Sequence, residues 1–167
     1  MKRLPASILA ILLTIALLSL CVNITLADNT GTCTSKIFVT GESNTLWSED
    51  GLAGVYVGAN TLPQGGTVSI CTTELVWQPW EAKFAISRAY TVSFTPAPQS
   101  DYLLTLHPII KPGRESLVDI VRFTDVGWSE KMRATPFQSD WKIATVKTGS
   151  FAMFNWYNVF LPFLQRK

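Results

Sequence analysis

Residues 84–106 read FAISRAYTVSFTPAPQSDYLLTL, and this stretch decides the fold. Phe84, Ile86, Tyr90, Val92 and Phe94 fall on even positions, interrupted only by Arg88. Ala85, Ser87, Ala89, Thr91 and Ser93 between them are small or polar. An apolar face with period two is the mark of a half-buried strand. Thr95-Pro96-Ala97-Pro98-Gln99-Ser100-Asp101 breaks the pattern, because proline lacks the N–H that a central strand donates. Tyr102, Leu104 and Leu106 then resume it on even positions. The spacing predicts two strands joined as a hairpin by a proline-punctuated turn.

On either side the chain repeats the theme. Lys36 to Thr40 is β-prone and ends in the turn residues Gly41-Glu42-Ser43-Asn44. After Leu46-Trp47 comes a second turn, Ser48-Glu49-Asp50-Gly51, and then a strand from Ala53 to Gly58 with Val55 and Val57 on one face and Tyr56 on the other. Leu62-Pro63-Gln64-Gly65-Gly66 is a loop. Thr67 to Thr73 alternates, with Val68 and Ile70 opposite Cys71. Leu117 to Thr124 is apolar on both faces apart from Asp119 and Arg122, as an inner strand is. Asp125-Val126-Gly127 turns, Lys131 to Phe137 reads as an edge strand limited by Pro136, and Asp140 to Thr148 alternates again. Short strands with frequent turns predict an all-β, antiparallel, immunoglobulin-like β-sandwich of about seven strands. The C-terminal apolar segment Phe151–Leu164 follows it.

The remainder of the chain bears on location and covalent frame. Lys2-Arg3 followed by the uncharged apolar run Ala6 to Leu20 has the form of an export signal, and Thr25-Leu26-Ala27 offers a cleavage site. The expected division is a signal peptide over 1–27 and a single sandwich domain over 28–167. Two alternatives stand beside cleavage: lipidation at Cys21, for which Leu18-Ser19-Leu20-Cys21 is the box, and retention as an anchor of about 20 residues. Without Cys21 the remaining pair, Cys33 and Cys71, is expected to form a disulfide in an oxidising compartment: periplasm, cell surface or extracellular space.

The hairpin stretch brings a family into view. Ala89-Tyr90-Thr91-Val92-Ser93-Phe94-Thr95-Pro96, then four residues to Asp101-Tyr102, resembles a pattern in small exported bacterial β-sandwich proteins and lipoproteins. The resemblance covers about 35 residues, from Ala89 to Phe123, and implies a sandwich in the cell envelope but no reaction. The turn departs from the pattern, with Pro98-Gln99-Ser100 where a glycine is usual.

Composition narrows the function. Apart from Lys2 and Arg3, 12 basic residues face 12 acidic ones, and no run of Lys or Arg occurs. The positive footprint that nucleic-acid binding needs is therefore missing. One histidine and two cysteines do not supply the usual metal-ligand spacing, and no cofactor motif is present: Gly65-Gly66 has neither the spacing nor the lysine of a phosphate loop. No catalytic residues are assigned. A hydrolase would have to use His107, the only histidine, and no Gly-x-Ser-x-Gly elbow accompanies it.

Binding, to a protein partner or a glycan, is the better-supported expectation. Six tryptophans are present, and Trp77 and Trp80 flank a proline in an expected loop, where their flat faces could stack on sugar rings while Glu74 and Gln78 bond hydroxyls. The competing role for those indoles is to plug the end of the sandwich. Trp47, Trp128 and Trp141 are expected in the core or half-buried. The segment Phe151–Leu164 holds six aromatics and is expected to dock on the sandwich; the alternative is contact with a membrane surface or a partner.

Overall fold

A computed structural model describes residues 31–74, 84–112 and 117–156. The strands are β1 (Cys33–Phe38), β2 (Asn44–Trp47), β3 (Ala53–Val57), β4 (Gly66–Thr73), β5 (Ala89–Thr95), β6 (Tyr102–Leu106), β7 (Val118–Thr124), β8 (Gly127–Arg133), β9 (Thr135–Phe137), β10 (Asp140–Thr145) and β11 (Gly149–Asn155). They form two antiparallel sheets, one of six strands in the order β1-β4-β5-β11-β7-β8 and one of five in the order β2-β3-β6-β10-β9. The all-β sandwich is as expected, with eleven strands among the described residues rather than about seven. Short elements such as β2 and β9, with four and three residues, are too brief to show a period in sequence.

Alternation builds the core. Phe38, Val68, Ile70, Tyr90, Val92, Ile120, Phe151 and Met153 are buried on the six-stranded sheet. Leu46, Val55, Val57, Leu104, Leu106 and Ile143 belong to the same cluster on the five-stranded sheet. Each large apolar side chain withdrawn from water contributes about 1.5–3 kcal/mol, so this layer is the main source of stability. A second cluster of Val121, Trp128, Ala152 and Phe154, with Ala89, covers the outer face of the six-stranded sheet. Phe154 and Trp156 stack there, with ring centroids 5.5 Å apart and planes at 10°. This second layer explains why β7 and β11 are apolar on both faces.

Several expectations need correction. Residues 84–106 do not form a hairpin. β5 pairs with β4 and β11, and β6 pairs with β3 and β10, so the proline segment carries the chain from one sheet to the other. Tyr90, Val92, Tyr102 and Leu104 still point into one core, but from opposite sides of it. The strand begins at Ala89 rather than Phe84. Upstream, Ile86 N–H donates to the Met153 carbonyl while the Met153 N–H is taken by the Ser87 hydroxyl, which kinks the chain before Arg88. Lys131 to Phe137 is split between β8 and β9, at the edges of different sheets. The first strand begins at Cys33 rather than at Lys36.

The Cys33–Cys71 disulfide is present, joining register partners of β1 and β4. Such a bond is consistent with an oxidising location. Phe151–Asn155 is a central buried strand, so of the aromatic segment 151–164 these residues lie inside the sheet. Residues 1–30, with the expected signal peptide and Cys21, and residues 157–164 lie outside the described residues.

Candidate functional site

Trp77, Gln78 and Trp80 also lie outside the described residues, and Glu74 is exposed just beyond the end of β4. The aromatic surface that the structure does describe lies elsewhere, on the outer face of the five-stranded sheet. Trp47, expected in the core or half-buried, is 47% exposed, and Tyr56, Leu103 and Phe137 are exposed with it.

Strand register assembles this face. Thr45, Tyr56 and Leu103 are partners across β2, β3 and β6. One row along, Trp47, Gly54, Thr105, Lys142 and Thr135 are partners across all five strands. Successive strands lie about 4.8 Å apart, so the row from β2 to β10 extends about 14 Å. The Trp47 indole lies over Gly54: a Cβ on that residue would sit 2.7 Å from Cζ3 and 2.8 Å from Cε3 of the ring. Glycine is thus what lets the indole lie down on the sheet. At the other edge, Lys142 Nζ sits 3.4 Å from the centre of the Phe137 ring. Thr105, between them, is buried although it belongs to the outer face.

A shallow cleft of about 400 Å³ runs over this surface, lined by Thr45, Trp47, Tyr56, Leu103, Thr105, Phe137, Gln138, Asp140 and Lys142. A second, of about 500 Å³, adjoins it through Gln138 and is lined by His107, Pro108, Lys111, Pro112, Pro136, Ser139 and Trp141. Gln138 occupies the β9–β10 turn with φ 57°, a left-handed conformation that closes the short link between the two strands.

His107 and Asp140 meet where the clefts join, with Nδ1 2.7 Å from Oδ1. The register of β6 and β10 brings them together: Leu106 opposes Trp141, which sets the next residue of one strand beside the preceding residue of the other. With Nδ1–H donating to the carboxylate, the neutral imidazole keeps Nε2 as an acceptor. Ser139 Oγ donates to the same Asp140 oxygen at 3.4 Å. Its hydroxyl is therefore on the carboxylate and not on the imidazole. A hydrolase triad needs the nucleophile on the far nitrogen of the histidine, and among the described residues no hydroxyl is bonded there. Among the described residues, no group of three or more His, Cys, Asp or Glu is placed to hold a metal ion.

The arrangement offers flat apolar surfaces interleaved with hydroxyl, amide, imidazole, carboxylate and ammonium groups on a rigid sheet. Sequence reasoning missed it, although one signal was available: if Leu46 points inward, its neighbour Trp47 must point out. No family model matches the chain, and no curated protein matches it.

Proposed function

We propose that the protein is an exported β-sandwich that binds a glycan on the outer face of its five-stranded sheet. The observation that carries this reading is the Trp47 indole lying over Gly54, in one patch with Tyr56 and Phe137. Sugar rings present C–H faces that stack on flat aromatics and rims of hydroxyls that need hydrogen-bond partners. Thr45, Gln138, Asp140 and His107 Nε2 supply such partners along the same surface. Export is supported by the disulfide and by the N-terminal pattern of Lys2-Arg3 followed by an apolar run. The immunoglobulin-like subclass and kinship with small exported bacterial sandwiches belong to the same reading. The chain's repeated crossing between sheets supports the first, and the second rests on the sequence pattern Phe94-Thr95-Pro96 to Asp101-Tyr102 alone.

Glycan-array screening of the wild type and Trp47→Ala tests the proposal. The expected result is a glycan ligand whose affinity falls at least tenfold in the variant, with the thermal midpoint lowered by only a few degrees. Retention of full affinity by Trp47→Ala, or absence of any glycan ligand, overturns it.

A further inference from the structure

Resting on that reading, we infer that the ligand is an acidic glycan, one carrying carboxylates such as hexuronate residues, and that Lys142 and Lys111 receive its charge. Cation pairing across the molecule points to these two residues. Every arginine among the described residues meets a carboxylate: Arg88 with Asp50, Arg122 with Glu130 and Arg133 with Asp119. Lys147 also pairs with Glu130. Lys36, Lys111, Lys131 and Lys142 have no carboxylate partner among the described residues. Lys36 and Lys131 lie over aromatic rings away from the clefts, whereas Lys111 and Lys142 line them.

Among the described residues that line the joined clefts, Asp140 is the one carboxylate, and it is already engaged by His107 and Ser139. Two lysines therefore line the site against a single described acid that is already engaged, in a chain with 12 basic and 12 acidic residues beyond Lys2 and Arg3. Lys142 also sits on the Phe137 ring, which places its charge at the edge of the platform that would receive a sugar ring. A ring stacked there brings an exocyclic carboxylate towards the ammonium group, forming a charge-assisted hydrogen bond that a neutral hexose lacks.

The test compares a panel of hexuronate oligosaccharides with their carboxyl-reduced counterparts, identical except that each carboxylate has become a hydroxymethyl group. Titration calorimetry on the whole protein is run at low and at elevated salt. The acidic forms are expected to bind at least tenfold more tightly, with the advantage shrinking in salt and lost in the double variant Lys111→Gln/Lys142→Gln. That variant changes two surface side chains, and an unchanged thermal midpoint confirms its fold. Equal binding of acidic and reduced forms overturns the acidic ligand while leaving the aromatic platform standing. Binding of neither, together with a blank neutral-glycan array, overturns the platform and this inference with it.

Discussion

The Tyr90 hydroxyl on β5 donates to the Asp50 carboxylate in the β2–β3 turn at 2.8 Å, tying the two sheets together at one end of the core. Asp50 also accepts from the Ser48 hydroxyl and the Leu52 N–H, and pairs with Arg88. Burial alone would raise the Asp50 pKa, but these four partners outweigh it and hold the carboxyl below its ordinary value. Burial first, and then Asp50, pushes Tyr90 well above the ordinary tyrosine value.

The signs of these shifts set two limits on stability. The lowered Asp50 contributes stability in full above its unfolded value of about 4, and that contribution is lost as pH falls through the folded value. The raised Tyr90 contributes in full below about 10 and loses its share as pH rises towards the folded value. Tyr90→Phe should cost about 1.5–3 kcal/mol at neutral pH, the range for a hydrogen bond to a charged group. Asp50→Asn should flatten the acid limb of a plot of thermal midpoint against pH. A wild-type acid limb retained in Asp50→Asn would assign acid sensitivity to other carboxylates.

The disulfide gives a second expectation. Cys33 and Cys71 are 38 residues apart, and β1 is an edge strand held on one side by β4 alone. Closing a loop of that length restricts the unfolded chain by about 4 kcal/mol in the loop-entropy model. Reduction should therefore lower the denaturation midpoint and raise amide exchange in β1 before other strands. Uptake of two equivalents of a thiol reagent by the unreduced protein, Cys21 absent, would show that the bond does not form.

Adjacent residues of β5 provide a third contrast. Val92 is fully buried between the sheets while Ser93 is exposed on the opposite face. Val92→Asp places an unpaired charge in the core and should cost more than about 4 kcal/mol, enough to prevent folding. Ser93→Asp should stay within about 0.5 kcal/mol. Circular dichroism on both variants checks this, and equal damage at the two positions would contradict the facing of the strand.

These positions also mark what the sequence made legible. Alternation identified the inward residues of β3, β4, β5 and β6, because burial of one face leaves its imprint every second residue. Alternation carries no information on whether consecutive strands hydrogen-bond or face each other across a core, so the β5–β6 link reads from sequence as a hairpin although it crosses between the sheets. The His107–Asp140 pair depends on the register of β6 against β10, a non-local relation that neither segment encodes alone. Trp77 and Trp80 are visible in sequence because the two indoles are close along the chain. The described platform draws Trp47, Tyr56 and Phe137 from three strands, and only sheet order makes them neighbours.

Gly54 permits a last prediction that separates platform from fold. It is buried beneath the Trp47 ring, and the nearest atoms to an added Cβ are the Cζ3, Cε3 and Cη2 of that ring, between 2.7 and 3.0 Å away. No backbone atom is among them, and its φ lies outside the left-handed region that favours glycine. Gly54→Ala can therefore be accommodated only by moving an exposed side chain. The indole should lift off the sheet, while β3 gains slightly from replacing a strand glycine. The expected outcome is a thermal midpoint within a few degrees of wild type, a changed tryptophan fluorescence and a loss of glycan affinity approaching that of Trp47→Ala. Wild-type affinity in Gly54→Ala, with altered fluorescence showing that the ring has moved, would mean that the flat indole is not what the ligand contacts.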